Sequence, residues 1–101
     1  MIVTLKGQHK TGRVWINGEL LDPKPSQELL ESLPRGFNWG YGGSGPAQLA
    51  LAVLLKFTDR RTAVENYQLF KWEIIAQLEQ DADFEIDVNL NPWIQRRETI
   101  A

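Results

Sequence analysis

Residues 36–57 read GFNWGYGGSGPAQLALAVLLKF, and they decide the fold that the sequence predicts. Five of the protein's eight glycines lie between positions 36 and 45, directly before a nearly continuous apolar segment. We predict a helix over Pro46–Phe57, because proline suits the first helical position. A helix that is apolar nearly all round must be covered on most sides, so we place it at the centre of the fold. The glycines predict a tight bend that leads the chain into the interior.

The N-terminal segment has the pattern of an antiparallel meander. Residues 2–6 (IVTLK) and 13–16 (RVWI) are short and rich in β-branched residues, and Gly7 and Gly12 bracket the polar segment between them. Asn17-Gly18 is typical of a type I′ hairpin turn, in which both residues take positive φ. Residues 19–21 would form the returning strand.

Two helices are predicted on either side of the central one. Ser26 can cap a short helix that runs through residues 29–33, which Pro34 and Gly36 would end. Thr58-Asp59 can cap a longer helix over residues 60–79.

The longer helix has one apolar stripe and further apolar residues beside it. The stripe predicts contact with the central helix and consists of Val64, Tyr67, Phe70 with Lys71, Ile74 and Leu78. Leu69, Trp72 and Ala76 lie off this stripe. They predict a second partner for the helix, either the sheet or another subunit.

A final strand and a terminal segment complete the prediction. Residues 84–90 alternate apolar and polar side chains, which is typical of a strand with one wet face. Asn91-Pro92 turns the chain, and Trp93 and Ile94 would anchor one more helical turn. We therefore predict an α+β fold: a small antiparallel sheet, made of the N-terminal hairpin or meander and a C-terminal strand, packed on a central apolar helix and a second long helix.

Composition limits the class of protein. A chain of 101 residues is most simply one domain, residues 1–101, and it can bury a core without metal or disulfides. It has no cysteine, a formal net charge of −2, no signal-peptide pattern and no apolar run of membrane-spanning length. We expect a cytoplasmic protein without a membrane contact. Nucleic acid is a disfavoured partner. A basic face would be needed to favour it, formed by Arg13, Arg60, Arg61, Arg96 and Arg97.

The Gly-rich loop, residues 40–45, satisfies the pattern G-x-G-x-x-G. A dinucleotide fold also requires a parallel βαβ unit around that pattern, whereas here two helices follow without a strand between them. A Walker A loop is excluded more directly, because Pro46 and Ala47 stand where lysine and serine or threonine are required.

A weaker ligand hypothesis remains for this loop. The N-terminus of a helix presents unpaired N–H groups and partial positive charge, which can bind an anion or a nucleotide-like molecule. Eight residues would line such a site: Trp39, Tyr41, Gly42, Gly43, Ser44, Gly45, Gln48 and Lys71. The alternative, which we favour, is a tight connector with aromatic core residues, in which Lys71 covers apolar surface with its stem. In either case the hydroxyl of Tyr67 needs a partner, which the loop backbone could provide.

Other polar groups give weaker signals. Asp81, Asp83, Glu85 and Asp87 alternate and could face a hard cation, but their spacing along a strand favours a solvated acidic face. His9 has no local catalytic partner and is expected in an exposed turn. We therefore predict no metal, no cofactor and no catalytic residue, and an enzyme is the less favoured class.

A resemblance attaches to these motifs. The resemblance rests on three segments: GFNWGYGGSGPAQLALAVLL, the later YQLFKWEII and the residues from Gly12 to Gly18. In these segments the chain resembles a family of small uncharacterised bacterial and phage proteins, a domain of unknown function. Its members share a GF-x-WGYGGSGPAQLALA core, a YQ-x-FK segment and an N-terminal strand pair. The resemblance covers most of the chain, while residues 81–93 follow no shared pattern. It implies no catalytic residues and an accessory role that tunes a host system.

Two functions from different classes follow. The first is a non-enzymatic module that binds a protein partner or forms a homodimer through aromatic and apolar surface. Trp15, Trp39, Trp72 and Trp93 are many tryptophans for this length, so some must be partly exposed. The second is a binder of a small anion, or a minor enzyme, built on the Gly-rich loop. It predicts an open pocket with unpaired N–H groups pointing into it.

Overall fold

The N-terminal hairpin and a strand near the C-terminus form one antiparallel sheet. The computed structural model describes residues 1–30 and 37–95. Within them lie β1 (Ile2–Gln8), β2 (Arg13–Ile16), β3 (Glu19–Leu20) and β4 (Phe84–Asn89), in the order β3-β2-β1-β4. Val3 of β1 pairs with Val88 of β4, and Leu5 pairs with Ile16 of β2. The predicted meander and C-terminal strand are confirmed.

The hairpin turn forms as its sequence predicts. Asn17 and Gly18 have φ angles of 51° and 81°, as a type I′ turn requires. Asn17 also donates its backbone N–H to the carbonyl of Thr4 and accepts the N–H of Thr4 on its side chain. This pairing fixes the register of β2 against β1.

The first strand is longer than predicted, because Gly7 lies inside it. Gly7 is buried opposite Phe84, and the Phe84 ring occupies the space that a Cβ would need. The glycine therefore admits an aromatic side chain from β4 and does not end β1.

The helices have the predicted order but different ends. They are α1 (Lys24–Leu29), α2 (Ser44–Phe57), α3 (Arg60–Glu73), a 3₁₀ turn (Ile75–Gln77) and α4 (Asn91–Ile94). Asp59 caps α3 as predicted, accepting the N–H of Thr62 at 2.7 Å. The helix predicted over residues 60–79 is shorter in the structure: α3 ends at Glu73, and the 3₁₀ turn follows it.

Two further corrections concern helix starts. Pro46 is not the first residue of α2, which begins two residues earlier at Ser44, after Gly43 in extended conformation. Ser26 does not cap α1, because the N-cap residue is Pro23. Ser26 lies inside the helix, and its hydroxyl donates a hydrogen bond to the Pro23 carbonyl. The predicted stop at Pro34 and Gly36 lies outside the described residues.

The core forms between one face of the sheet and the helices. Every residue of α2 from Pro46 to Leu54 is buried, which confirms the central position of this helix. The buried residues of β1, β2 and β4 join α2 in one hydrophobic cluster. The strands alternate buried and exposed residues, so the helices cover one face of the sheet, as expected for this α+β fold.

The core face of α3 differs by one residue from the predicted stripe. Val64 is 46% exposed, whereas its neighbour Ala63 is fully buried. The buried face begins with Ala63 because Ala63, Tyr67, Phe70 and Ile74 repeat at four, three and four residues. Leu69 and Trp72 are each 54% exposed, so the sheet does not cover them.

The short helix α4 anchors the end of the described chain. Trp93 is buried, its ring centroid lies 5.0 Å from that of Phe70, and its indole N–H donates to Glu73. Ile94 packs against the same core, which confirms both predicted anchors. No helix among the described residues is both long and apolar enough to cross a lipid bilayer.

Candidate functional site

The Gly-rich loop is held in place by contacts at its N-terminal end and just before it. Before it, Phe37 is buried and donates its N–H to the carbonyl of Gly12. Gly40 donates its N–H to the carbonyl of Ile75 in the 3₁₀ turn. Gly40 has a φ of 84°, and a Cβ there would lie 2.5 Å from the Cα of Gln80. The loop therefore needs glycine at position 40 both for its backbone angle and for its close approach to the chain before β4.

Trp39 is a core residue, and its ring is not accessible to a ligand. It is 1% exposed, stacks edge-on against Phe84 with centroids 4.7 Å apart, and donates its indole N–H to the carbonyl of Ala82 at 2.8 Å. The structure therefore places Trp39 beneath the loop, where it secures the segment that enters β4.

Gln48 is also directed away from the loop surface. It is 3% exposed, and its side-chain amide donates to the hydroxyl of Ser26 at 2.7 Å. Its Oε1 has no hydrogen-bond partner among the described residues. Gln48 thus joins α2 to α1 through Ser26, a contact that the sequence analysis missed because it took Ser26 for a helix cap.

Lys71 reaches the loop from α3. It is 6% exposed, its ammonium donates to the carbonyl of Gly42 at 3.2 Å, and its Nζ lies 4.2 Å from the ring centroid of Trp72. The described ion pairs are His9–Asp81, Lys56–Glu19 and Arg61–Glu65, so Lys71 has no described carboxylate partner. A carbonyl dipole and an aromatic face, both uncharged, stabilise its ammonium group.

Trp72 lies next to this contact. Its ring lies against Gly42, where a Cβ would overlap the ring. Tyr41 lies in the same way across Gly43 and Gly45: its hydroxyl is 3.0 Å from the position of a Cβ on Gly45. These three glycines thus allow two aromatic rings to lie directly on the loop backbone.

The exposed side of this arrangement is an aromatic patch, defined here as Tyr41, Leu69 and Trp72. Tyr41 is 36% exposed, and Leu69 and Trp72 are each 54% exposed. Leu69 precedes Trp72 by three residues, a spacing that places the two side chains next to each other on α3. The patch therefore combines apolar area with a fixed position on a helix and an anchored loop.

The predicted anion site is only partly assembled. Tyr41, Ser44 and the glycines lie at the surface or partly exposed, whereas Trp39, Gln48 and Lys71 are buried. The N–H groups of Gly42, Gly43, Ser44 and Gly45 donate to no other described residue. The hydroxyl of Tyr67 receives a hydrogen bond from Gln68 at 3.2 Å, where the loop backbone was expected as its partner.

Two surface grooves lie away from this loop. One, of about 860 Å³, is on the outer face of the sheet and is lined by Thr4, Lys6, Gly7, Gln8, Trp15, Gly18, Asp83, Phe84 and Glu85. The other, of about 490 Å³, lies at the start of α3 and is lined by Leu29, Arg60, Arg61 and Val64. Neither groove is lined by a residue of the Gly-rich loop.

The acidic residues do not form a metal centre in the part of the chain that the structure describes, where no three potential ligands come together. Asp81 and Asp83 lie before β4; Asp83 accepts the N–H of His9, and Asp81 lies 3.9 Å from the His9 ring. Asp87 accepts the hydroxyl of Thr4. His9 is exposed, as expected for a turn residue. Arg96 and Arg97 lie outside the described residues.

Comparison with known proteins gives a family and no activity. The search among curated proteins found no match, and the search among solved structures found none. The sequence matches a family of unknown function, DUF6166, over residues 5–97, a range that includes the acidic strand. Since this match covers most of the chain, the protein belongs to the DUF6166 family.

Proposed function

We propose that the protein is a non-enzymatic interaction module that binds another protein through the aromatic patch. The observation that carries the proposal is the state of Trp72, which is half exposed and yet lies against both the backbone of Gly42 and the ammonium of Lys71. An exposed indole that is already fixed loses little conformational entropy on binding.

The chemistry of the patch favours a protein as the partner. Tryptophan and tyrosine are enriched among the residues that contribute most to binding at protein interfaces. Leu69 beside Trp72 adds apolar area without a charge. The partner that fits is a protein with an apolar pocket wide enough for an indole.

The resemblance to bacterial and phage proteins suggests where this module acts. We place the module in the cytoplasm of a bacterium or phage-infected cell, as an accessory factor that acts on a protein of the host. A homodimer through the same patch is the other form that this binding could take.

Photo-crosslinking tests the proposal directly. We would replace Leu69 by p-benzoylphenylalanine, irradiate the protein in a lysate of its source organism, and identify the adduct. A matched control carries the crosslinker at Arg13, which is exposed on β2 and belongs neither to the aromatic patch nor to the β4 edge of the sheet. We expect one adduct at position 69 that excess unlabelled protein competes away and that excess Trp72→Ala protein does not. Equal competition by both proteins would refute the proposal.

A second candidate, the binding of a small anion, is favoured by one observation. Four consecutive N–H groups, those of residues 42–45, have no acceptor among the described residues, and the buried Lys71 ammonium lies beside them. Such groups at the start of a helix can bind phosphate or carboxylate.

A thermal-shift series separates this candidate from the first. Phosphate, sulfate and nucleotides at millimolar concentration should raise the melting temperature if the loop binds an anion. The same compounds should have no effect on Lys71→Met if that charge takes part. No stabilisation of the wild-type protein by any of them would exclude the anion site.

A further inference from the structure

The strand β4 forms one edge of the sheet and carries a second candidate surface. On one side it pairs with β1 along its whole length. On its other side no strand of the described residues lies next to it. This edge contains none of the three residues of the aromatic patch.

The register shows which backbone groups of β4 are directed outward. Leu90 donates its N–H to the carbonyl of Met1, so residue 90 directs its backbone groups toward β1. Because these directions alternate in an antiparallel pair, Phe84, Ile86 and Val88 do the same. Glu85, Asp87 and Asn89 therefore direct their N–H and C=O groups to the free edge, and all three are exposed.

The side chains at this edge determine which side chains an added strand would need in order to pair with β4. Glu85 and Asp87 lie on the outer face of the sheet, and residues opposite them on an added strand would have their side chains within about 5 Å. Ile86 points to the inner face and is only partly buried, so it leaves apolar surface at the margin of the core. The complementary strand has basic residues on one face and apolar residues on the other.

A second copy of the chain is a poor occupant. Pairing β4 with β4 of another molecule would place carboxylates against carboxylates on the outer face, which is destabilising. Acidic edge residues protect a sheet against this self-association. The same charges attract a basic strand.

We propose that β4 binds an extended segment of a partner protein, in which lysine or arginine alternates with β-branched residues, by adding it as a fifth strand. Backbone hydrogen bonds to Glu85, Asp87 and Asn89 would align the segment. Charge pairing with Glu85 and Asp87, and contact with Ile86, would select its sequence.

Fluorescence polarisation with a labelled peptide, Lys-Val-Lys-Val-Lys-Val-Lys, tests this proposal on the intact protein. Two derivatives carry N-methyl groups, one on the lysines and one on the valines. Only one edge of an added strand bonds to β4, so we expect one derivative to lose binding while the other retains it. In antiparallel addition the lysine derivative fails, and in parallel addition the valine derivative fails. Equal binding of the two methylated peptides would show that charge attraction alone holds the peptide, and it would overturn the proposal.

Protein variants provide the second arm. The double variant Glu85→Lys/Asp87→Lys should weaken binding of the unmethylated peptide by at least about tenfold. The variant Glu28→Lys/Glu79→Lys makes the same change in net charge at exposed positions elsewhere and should bind as the wild type does. Equal weakening in both variants, or no binding of the peptide to the wild-type protein at about 1 mM, would also overturn the proposal.

Discussion

The indole ring of Trp72 lies so close to the backbone of Gly42 that a Cβ at position 42 would overlap it. Gly40, two residues earlier, approaches the backbone of Gln80 instead. A substitution at position 42 must displace the end of a half-exposed side chain, whereas one at position 40 must displace the main chain. The two glycines of one loop therefore have different roles.

This difference gives a prediction on stability. Gly40→Ala should lower the free energy of unfolding by about 2–4 kcal/mol, because it combines a left-handed backbone angle with overlap against fixed atoms. Gly42→Ala should lower it by less than about 1 kcal/mol, because the overlap is with the end of the half-exposed Trp72 side chain, which can shift slightly. Urea unfolding followed by circular dichroism measures both. Equal losses in the two variants would contradict the account of the loop.

The contact between Ser26 and Gln48 predicts non-additive substitutions. Ser26→Ala removes the acceptor of a buried amide and should cost about 1–3 kcal/mol. Gln48→Leu removes the amide together with its unpartnered Oε1 and should be close to neutral. In the double variant the cost of Ser26→Ala should largely disappear, since no buried donor is left without a partner. Additive losses in a double-mutant cycle would show that the two side chains are not coupled.

The tryptophans should separate into structural and surface residues. Trp39→Phe loses the hydrogen bond to Ala82 and leaves unfilled volume in the core, so we expect a loss of about 2–3 kcal/mol. Trp72→Phe keeps an aromatic ring at a half-exposed position and should cost less than about 1 kcal/mol. Denaturant titrations of both variants test this order, and a reversed order would contradict the assigned burial.

Lys71 should act as an anchor of the loop. In Lys71→Met the carbonyl of Gly42 loses its donor, so the loop should open more often. We expect the amides of Gly40 and Ala47, which are hydrogen-bonded at either end of the loop, to exchange with solvent about tenfold faster. Lys56→Met removes only an exposed pair with Glu19 and should leave both amides unchanged. Unchanged exchange in Lys71→Met would show that the ammonium does not hold the loop.

Much of the fold is readable from local patterns. Asn17-Gly18 requires positive φ at two successive positions, and the alternation from Phe84 to Val88 admits only a strand with one buried face. The apolar segment before Leu55 has no polar face to expose. In each case neighbouring residues alone determine the local structure, so a single sequence is enough to predict it.

The wrong predictions concern positions whose local structure depends on residues distant in sequence. Gly7 lies inside β1 because the Phe84 ring fills its place, and nothing near Gly7 in sequence indicates this. Ser26 has the composition of a cap and instead meets Gln48 on another helix. Helix α2 begins at Ser44, two residues before the proline that the sequence predicts as its first residue.

The arrangement of side chains around the Gly-rich loop also depends on residues that are distant in sequence. From sequence, Lys71 is grouped with the loop only under the ligand hypothesis, and the favoured interpretation is a lysine whose stem covers apolar surface; its ammonium instead contacts the Gly42 carbonyl. That Trp39 is buried while Trp72 is half exposed depends on which ring packs beneath the loop and which above it. Spacing along the chain does not distinguish those two sides.

The affinity of the captured partner for two tryptophan variants tests the central claim most directly. Trp72→Ala removes the fixed indole of the aromatic patch, and Trp15→Ala removes a partly exposed indole from the outer face of the sheet. Both are measured by calorimetry against the wild-type protein, after their folding is confirmed. We predict at least about 30-fold weaker binding for Trp72→Ala and a change within about threefold for Trp15→Ala. Undiminished binding by a folded Trp72→Ala protein would contradict the account.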